Sequence, residues 1–341
     1  MRVLVIKTSS LGDVIHTLPA LTDAMAAIPG IRFDWVVEEA FAEIPAWHPA
    51  VDRVIPVALR RWRKSPWEAW RSSEWKTFRQ ALKQSVYDVV IDAQGLLKSA
   101  LITTMSHGPS FGLDRQSARE SLASLAYRHP MKVAKGGHAI DRVRQLFAQV
   151  LGYDVTLSTV DYGIDLKRLN PERPETPYLV FLHGTTWQSK HYPEKHWREL
   201  AHVAVSEGYR VLLPWGNDEE RLRGERISQD ASAIALLPRM GISQLAGIIA
   251  GADGVVAVDT GLAHLASALT VPVVVLVGPT DPVLTGVVGK GQRNISTEYK
   301  CMPCLKRVCD HRLASNGDPV CFETLLPRLI FDTLRVCMKE L

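Results

Sequence analysis

An excess of one charge is missing. The 40 lysines and arginines outnumber the 36 aspartates and glutamates by only four in a chain of 341 residues, too mild a balance to mark a nucleic-acid-binding protein. Cysteine is scarce, five in all, which excludes a disulfide-stapled scaffold and leads to the expectation of reduced thiols. Neither G-x-G-x-x-G nor G-x-x-x-x-G-K-[ST] occurs, which weighs against a dinucleotide-dependent oxidoreductase and a P-loop NTPase. No apolar leader is visible, because the run Val3–Ile6 stops at Lys7 and soon meets Asp13. The longest uncharged stretch, Thr260 to Thr280, is interrupted by Gly261, Pro272, Gly278 and Pro279. It reads as a short helix and a buried strand, not as a membrane span. A cytosolic chain is expected.

What is present is the composition of a folded protein, 46 % apolar and 22 % charged, and a length that suits two domains. RVLVIK (Arg2–Lys7), RFDWVV (Arg32–Val37) and YDVVIDA (Tyr87–Ala93) are near-continuous apolar runs of strand length, with a helical segment, IHTLPALTDAMAAI, between the first two. Such runs alternating with helices indicate a parallel sheet covered on both faces. DLKRLNPERPETP carries three prolines in a dense run of charges and is the linker candidate. After it the rhythm restarts with YLVFLH (Tyr178–His183), YRVLLP (Tyr209–Pro214), AIALL (Ala233–Leu237), GVVAV (Gly254–Val258) and VPVVVLV (Val271–Val277). The expected fold is α/β, two doubly wound Rossmann-like domains facing across a cleft. Their expected bounds are 1–165 and 178–322, with a linker at 166–177 and a C-terminal helix at 323–341 packing back on the N-terminal domain. Ligands of such sheets bind at the carboxyl ends of the strands.

Three strand-end turns carry candidate chemistry. In Lys7-Thr8-Ser9-Ser10-Leu11-Gly12-Asp13, a carboxylate at Asp13 is placed to take a proton from a substrate hydroxyl; the plain alternative is a helix cap. In GTTWQSKHYPEKHW, Thr185 and Thr186 offer hydroxyls and Lys190 a cation for an anionic ligand; the alternative is a solvated capping loop. In GVVAVDTGLAHLASAL, Asp259-Thr260-Gly261 open a helix of small residues, with His264 on its first turn. The free N–H groups at that start suit a diphosphate; the alternatives are an N-cap at Asp259 and a satisfied core histidine at His264.

The segment Leu59–Lys83 holds eight basic residues against two acidic ones and four of the nine tryptophans. It suits an anionic membrane or a phosphorylated amphiphile better than nucleic acid, with a solvated amphipathic helix as the alternative. Cys301, Cys304, Cys309 and Cys321 number enough for a zinc site, but their spacing is not that of a zinc ribbon.

KTSSLGDVIHTLPAL, FDWVVEE, RRWRK, IDAQGLLKSA, the pattern TTxxxKHxPxxHWREL, LPWG, and VDTGLAHLA with GPTDP together resemble glycosyltransferase family 9, the heptosyltransferases. The matching strings span residues 1 to about 285. The resemblance implies the GT-B fold, with an acceptor site in the N-terminal domain and an ADP-sugar donor site in the C-terminal one. It implies transfer of L-glycero-D-manno-heptose from ADP-heptose to the Kdo residue of Kdo-lipid A, with no cofactor, by an enzyme peripheral to the cytoplasmic face of the inner membrane. Asp13 matches the family's general base. Thr185, Thr186, Lys190, Asp259, Thr260, Gly261 and His264 match donor-contacting positions, Glu220 the ribose carboxylate and Met240 the position beside the adenine. Ser10, Arg60, Arg61, Arg63, Lys64, Lys98 and Arg119 match the acceptor side. CMPCLKRVCD departs toward family members that add the second heptose, so a different acceptor is the alternative.

Breaking the anomeric C–O bond leaves negative charge on ADP. The Asp-x-Asp motif through which many glycosyltransferases place a metal on that diphosphate does not occur in the sequence. Lys190 and the helix start at Thr260–Gly261 are then the expected stabilisers, no metal is expected, and the reaction inverts the anomeric centre.

Overall fold

Val3–Ile6, Leu179–Leu182, Val255–Val258 and Val273–Val277 are all buried, as side chains are when helices cover both faces of a parallel sheet. The computed structural model describes the chain except residues 158, 172–173, 230, 298 and 312–317. The chain divides into two units, Met1–Asp165 and Leu166–Leu341. In the first, β1 (Arg2–Ile6), β2 (Arg32–Glu38), β3 (Val51–Val57), β4 (Val89–Asp92), β5 (Ser110–Leu113) and β6 (His129–Met131) form one parallel sheet in the order β3-β2-β1-β4-β5-β6. In the second, β7 (Tyr178–Leu182), β8 (Arg210–Leu213), β9 (Ile234–Leu236), β10 (Gly254–Val258), β11 (Val273–Val277) and β12 (Gln292–Ser296) form another in the order β12-β11-β10-β7-β8-β9. The strand order reverses between β1 and β4, and again between β7 and β10. These reversals are where open α/β sheets bind ligands.

The expected α/β class and the expected strands are observed. The unexpected ones, β3, β5, β6 and β12, lie at or beside the sheet edges. β3 alternates in burial and contains Pro56, and β6 contains Pro130, as edge strands tolerate. The expected helix after β1 is two helices, Leu11–Ile15 and Leu18–Ala27, with Pro19 in the first turn of the second. Leu59–Lys83 is three short helices, Leu59–Trp62, Pro66–Arg71 and Ser73–Lys83.

In the first unit Asp34 of β2 is fully buried. Its Oδ2 accepts hydrogen bonds from Arg53 Nε (3.1 Å), Tyr87 OH (2.8 Å) and Arg2 Nη2 (3.1 Å), which offsets the cost of burying the charge. Burial, then the bond to Asp34, pushes the Tyr87 hydroxyl up to about 12. In the second unit Phe181, Tyr192, Trp197 and Phe322 form the aromatic core.

The expected C-terminal helix is observed. Residues Pro327–Glu340 place Ile330, Phe331, Leu334 and Cys337 on one stripe, and that stripe is buried in the core of the second unit against β10, β11 and the helix Glu194–Ser206. The expected linker begins in order as well. Leu169, in the 3-10 turn Leu166–Leu169, is buried, and its carbonyl lies where a Cβ on Gly247 would be only 2.6 Å away. Residues 172–173 of that linker lie outside the described residues.

Candidate active site

At the reversal of the first sheet, the backbone past β1 stays attached to both neighbouring strands. Lys7 N donates to Val36 O, Glu38 N to Thr8 O and Ala93 N to Ile6 O. Gln94, just beyond β4, uses Oε1 to accept from both Thr8 N (2.8 Å) and Thr8 Oγ1 (2.7 Å). Lys7 is buried and donates Nζ to Ala93 O at 2.9 Å. The turn so pinned presents Asp13. Its Oδ2 accepts from Ser10 N (2.8 Å) and Ser10 Oγ (2.7 Å), and Lys7 Nζ lies 3.8 Å from Oδ1. Its side chain is still 46 % exposed. Burial pushes the Asp13 carboxyl up, but the Lys7 charge, the Ser10 bonds and the Arg119 charge outweigh it and hold the pKa below the usual carboxylate value. Asp13 is therefore ionised at neutral pH and reachable.

Cations gather beside it. Lys98 donates Nζ to Ser9 Oγ at 2.8 Å. Burial lowers its pKa, with Glu38 and Asp13 opposing and Arg60 and Arg63 adding to the shift, so all five groups share one electrostatic neighbourhood. Arg60 is exposed, its guanidinium over the Phe41 ring at 5.1 Å. Arg61 points elsewhere: it pairs with Glu39 (3.0 Å) and Glu74 (2.8 Å). Lys64 is exposed on the turn after Leu59–Trp62. Glu38 and Gln94 were not singled out from the sequence. Glu38 is buried at the end of β2, with Oε1 accepting from Arg60 N at 3.0 Å and Oε2 lacking a hydrogen-bond partner among the described residues. A strand-end rule applied to FDWVVEE as it was to RVLVIK finds it.

The second sheet repeats the arrangement with different chemistry. Past β7 come Gly184, Thr185 and Thr186; past β10 come Asp259, Thr260 and Gly261. The turn Gln188–Lys190 brings Lys190 Nζ to 2.7 Å from Asp259 Oδ2. Thr280 Oγ1 donates to the same oxygen, and Thr185 Oγ1 to Asp259 O at 3.5 Å. Burial pushes the Asp259 carboxyl up, but Lys190, Thr280 and the His264 charge outweigh it, so its pKa is lowered. Thr260, not Asp259, sits at the N-cap position of the helix Gly261–Ala268 and makes no side-chain cap hydrogen bond; the first N–H groups of that helix have no partner within it. His264 is buried in its first turn. Glu220, in the first turn of the helix Asp218–Ser228, accepts from Gly216 N at 2.8 Å. Its carboxyl carbon would be 2.6 Å from a Cβ on Gly184, so glycine there lets the carboxylate rest on the end of β7. Met240 sits in the loop after β9. The ends of β7, β8, β9 and β10 thus bring the residues expected to meet the donor to one edge of one sheet.

Among the described residues no three His, Cys, Asp or Glu side chains gather as a metal-ligand set. Cys301 is exposed, Cys304 and Cys309 are partly so, and Cys321 is buried. Among the described residues no helix is long and apolar enough to cross a membrane. Of the four tryptophans in Leu59–Lys83, Trp62 and Trp75 pack against the core. Trp67 and Trp70 are 69 % and 57 % exposed and lie against each other with ring centres 5.5 Å apart.

Two doubly wound units, one with an ionised carboxylate at a strand end and the other with a lysine–aspartate pair beside a helix start, fit the nucleotide-sugar transferase class. The chain belongs to glycosyltransferase family 9 (heptosyltransferase), whose family model matches residues 75–314. It is 53 % identical to lipopolysaccharide heptosyltransferase 1 of Pseudomonas aeruginosa, over 99 % of this chain and 98 % of that relative. Its structure is similar to E. coli heptosyltransferase WaaC with ADP, at a TM-score of 0.87 and 46 % identity, covering 99 % of this chain and 100 % of that one. It is similar also to WaaC with ADP-2-deoxy-2-fluoro heptose, at a TM-score of 0.84 and 45 % identity, covering 98 % and 99 %.

Proposed function

We propose that this chain transfers L-glycero-D-manno-heptose from ADP-heptose to the Kdo residue of Kdo-lipid A, the first heptose step of lipopolysaccharide core synthesis. The observation that carries the reading is Asp13, an ionised and half-exposed carboxylate at the reversal of the first sheet. The near full-length likeness to a heptosyltransferase 1 and to WaaC bound to a donor analogue supports it.

Asp13 takes the proton of the Kdo hydroxyl as the hydroxyl oxygen forms its bond to the anomeric carbon. The bond from that carbon to the diphosphate oxygen breaks, and ADP leaves with the electron pair. One in-line displacement inverts the anomeric centre. Lys190 and the N–H groups at Thr260–Gly261 meet the charge growing on the diphosphate, which makes a divalent metal unnecessary. Thr185, Thr186 and His264 line the same donor site, Glu220 holds the ribose and Met240 borders the adenine. Ser10 sets the Asp13 carboxylate, and Arg60, Arg63, Lys98 and Arg119 meet acceptor phosphates and carboxylates. Lys64 extends that patch, whereas Arg61, engaged by Glu39 and Glu74, serves mainly to brace it. The exposed Trp67–Trp70 pair, with Arg63, Lys64 and Arg71 nearby in sequence, rests on the anionic cytoplasmic face of the inner membrane.

The test is ADP release from ADP-heptose with EDTA present and de-acylated Kdo-lipid A as acceptor. Acceptor-dependent release is expected. Loss of activity to EDTA would overturn the metal-free leaving group. Release only with an already heptosylated acceptor would move the chain to the second heptose step.

A further inference from the structure

The donor-type loops are held by a segment outside the motifs that carry the family resemblance. Leu305 N donates to Pro279 O at 2.8 Å, in the loop after β11, and Ser189 N donates to Arg307 O at 3.1 Å. The buried Ser189 also donates Oγ to Lys306 O. Leu305–Arg307 is therefore stitched both to the turn that carries Lys190 and to the loop that carries Thr280. The consequence falls on Arg307. Its guanidinium carbon lies 5.6 Å from the centre of the Trp187 ring, and Lys190 Nζ lies 4.7 Å from the same centre. The two cations share one indole, which orients each through its π-face.

Their charges are not equally available. Lys190 already faces Asp259 at 2.7 Å. Arg307 is exposed, and no carboxylate among the described residues pairs with it. A departing nucleoside diphosphate gains charge that a lysine tied to an aspartate answers only in part. A planar guanidinium beside it, presenting paired N–H donors, matches phosphate oxygens.

We propose that Arg307 is a second diphosphate-binding cation of this donor site, positioned by Trp187 and acting with Lys190. The inference rests on the donor-site reading above and adds to it a residue from the cysteine-bearing segment. Arg307 contributes an ionic contact to a nucleoside diphosphate and none to the nucleoside alone.

Calorimetric titration of ADP and of adenosine into the wild-type chain, Arg307→Ala and Arg307→Lys tests it. Arg307→Ala should weaken ADP at least tenfold, about the worth of one charge-assisted hydrogen bond, and leave adenosine within twofold. Arg307→Lys, which keeps the charge without the fork, should recover part of the loss. An ADP affinity within twofold of wild type in Arg307→Ala would overturn the proposal. Parallel loss of ADP and adenosine would overturn it too, because that is the mark of a displaced loop and not of a lost charge. A wild-type chain that binds no ADP would sink the donor-site reading itself, and Arg307's part with it.

Discussion

A Cβ built on Gly184 would lie 2.6 Å from the carboxyl carbon of Glu220, so that carboxylate keeps its resting place only because Gly184 has no side chain. The same carboxylate is fixed from the other side by Gly216 N. Gly184→Ala should therefore push Glu220 off its position. Donor affinity, read as the ADP-heptose KM or an ADP titration, should weaken by about tenfold. Unfolding in urea should shift little, because Glu220 can swing outward to relieve the clash.

Asp13→Ala should lower kcat by ~10²–10⁴, the usual worth of a general base, and leave ADP affinity nearly intact. Asp13→Asn keeps the shape and should be as slow. Steady-state kinetics with a parallel ADP titration checks this. A tenfold loss of ADP affinity with unchanged kcat would remove Asp13 from the role of base.

The pKa of Asp13 is lowered, so its charged form is present above the ordinary carboxylate value and is lost only as pH falls through the lowered one. The acid limb of kcat/KM should accordingly lie below the ordinary aspartate range. Ser10→Ala removes the Oγ bond to Asp13, which favours the charged form, and should move the limb upward toward the ordinary range. A pH–rate profile in which Ser10→Ala shifts the limb downward would contradict the assignment.

Tyr87→Phe removes one of the three partners of the buried Asp34 Oδ2. Leaving that oxygen short of a donor should cost about 1–3 kcal/mol, seen as a lower urea midpoint with an unchanged slope. Asp34→Ala removes the acceptor shared by Arg2, Arg53 and Tyr87 and should lower the urea midpoint further. ADP affinity of the folded Tyr87→Phe chain should not change.

Replacing both Trp67 and Trp70 by serine should reduce flotation with anionic vesicles at least fivefold, because two exposed indoles supply the apolar contact. Vesicle binding of the wild-type chain should also fall as salt rises, since exposed cations are screened. Binding that ignores both changes would place the membrane contact elsewhere.

Central strands were more legible than edge strands, although one edge strand, β9, was read as AIALL. β1, β7, β10 and β11 are buried on both faces, so their residues form unbroken apolar runs, which short length, β-branched residues and flanking turns mark as strands. β3, β6 and β12 have one neighbour each, and Asp52, Arg53, His129 and Arg293 within them break the pattern without breaking the pairing. The strand-end turns around Asp13, Lys190 and Asp259 were legible because a parallel strand followed at once by Ser, Thr, Asp or Gly marks the ligand edge. Arg61 was not separable from Arg60 and Arg63, since in RRWRK direction depends on the helix that forms. Glu38 lies at a strand end where the same rule finds it, whereas Gln94 and Arg307 owe their placement to long-range pairing with Thr8 and Ser189, which no local spacing announces. The C-terminal helix was expected, but the sheet that its stripe covers is set by long-range packing that the sequence does not name.

The Arg2–Asp34–Arg53 cluster lies near the starts of strands whose far ends carry the Asp13 turn and Glu38. Asp34 and Glu38 belong to one strand, four residues apart, or roughly 13 Å. The sheet therefore keeps its electrostatic keystone and its working edge on opposite sides of a layer of packed aliphatics. Substitutions at Arg60, Arg63 or Lys98, the proposed acceptor side, leave the reserve that tolerates such changes untouched at the other edge, so libraries confined to the strand ends should yield a high fraction of folded variants.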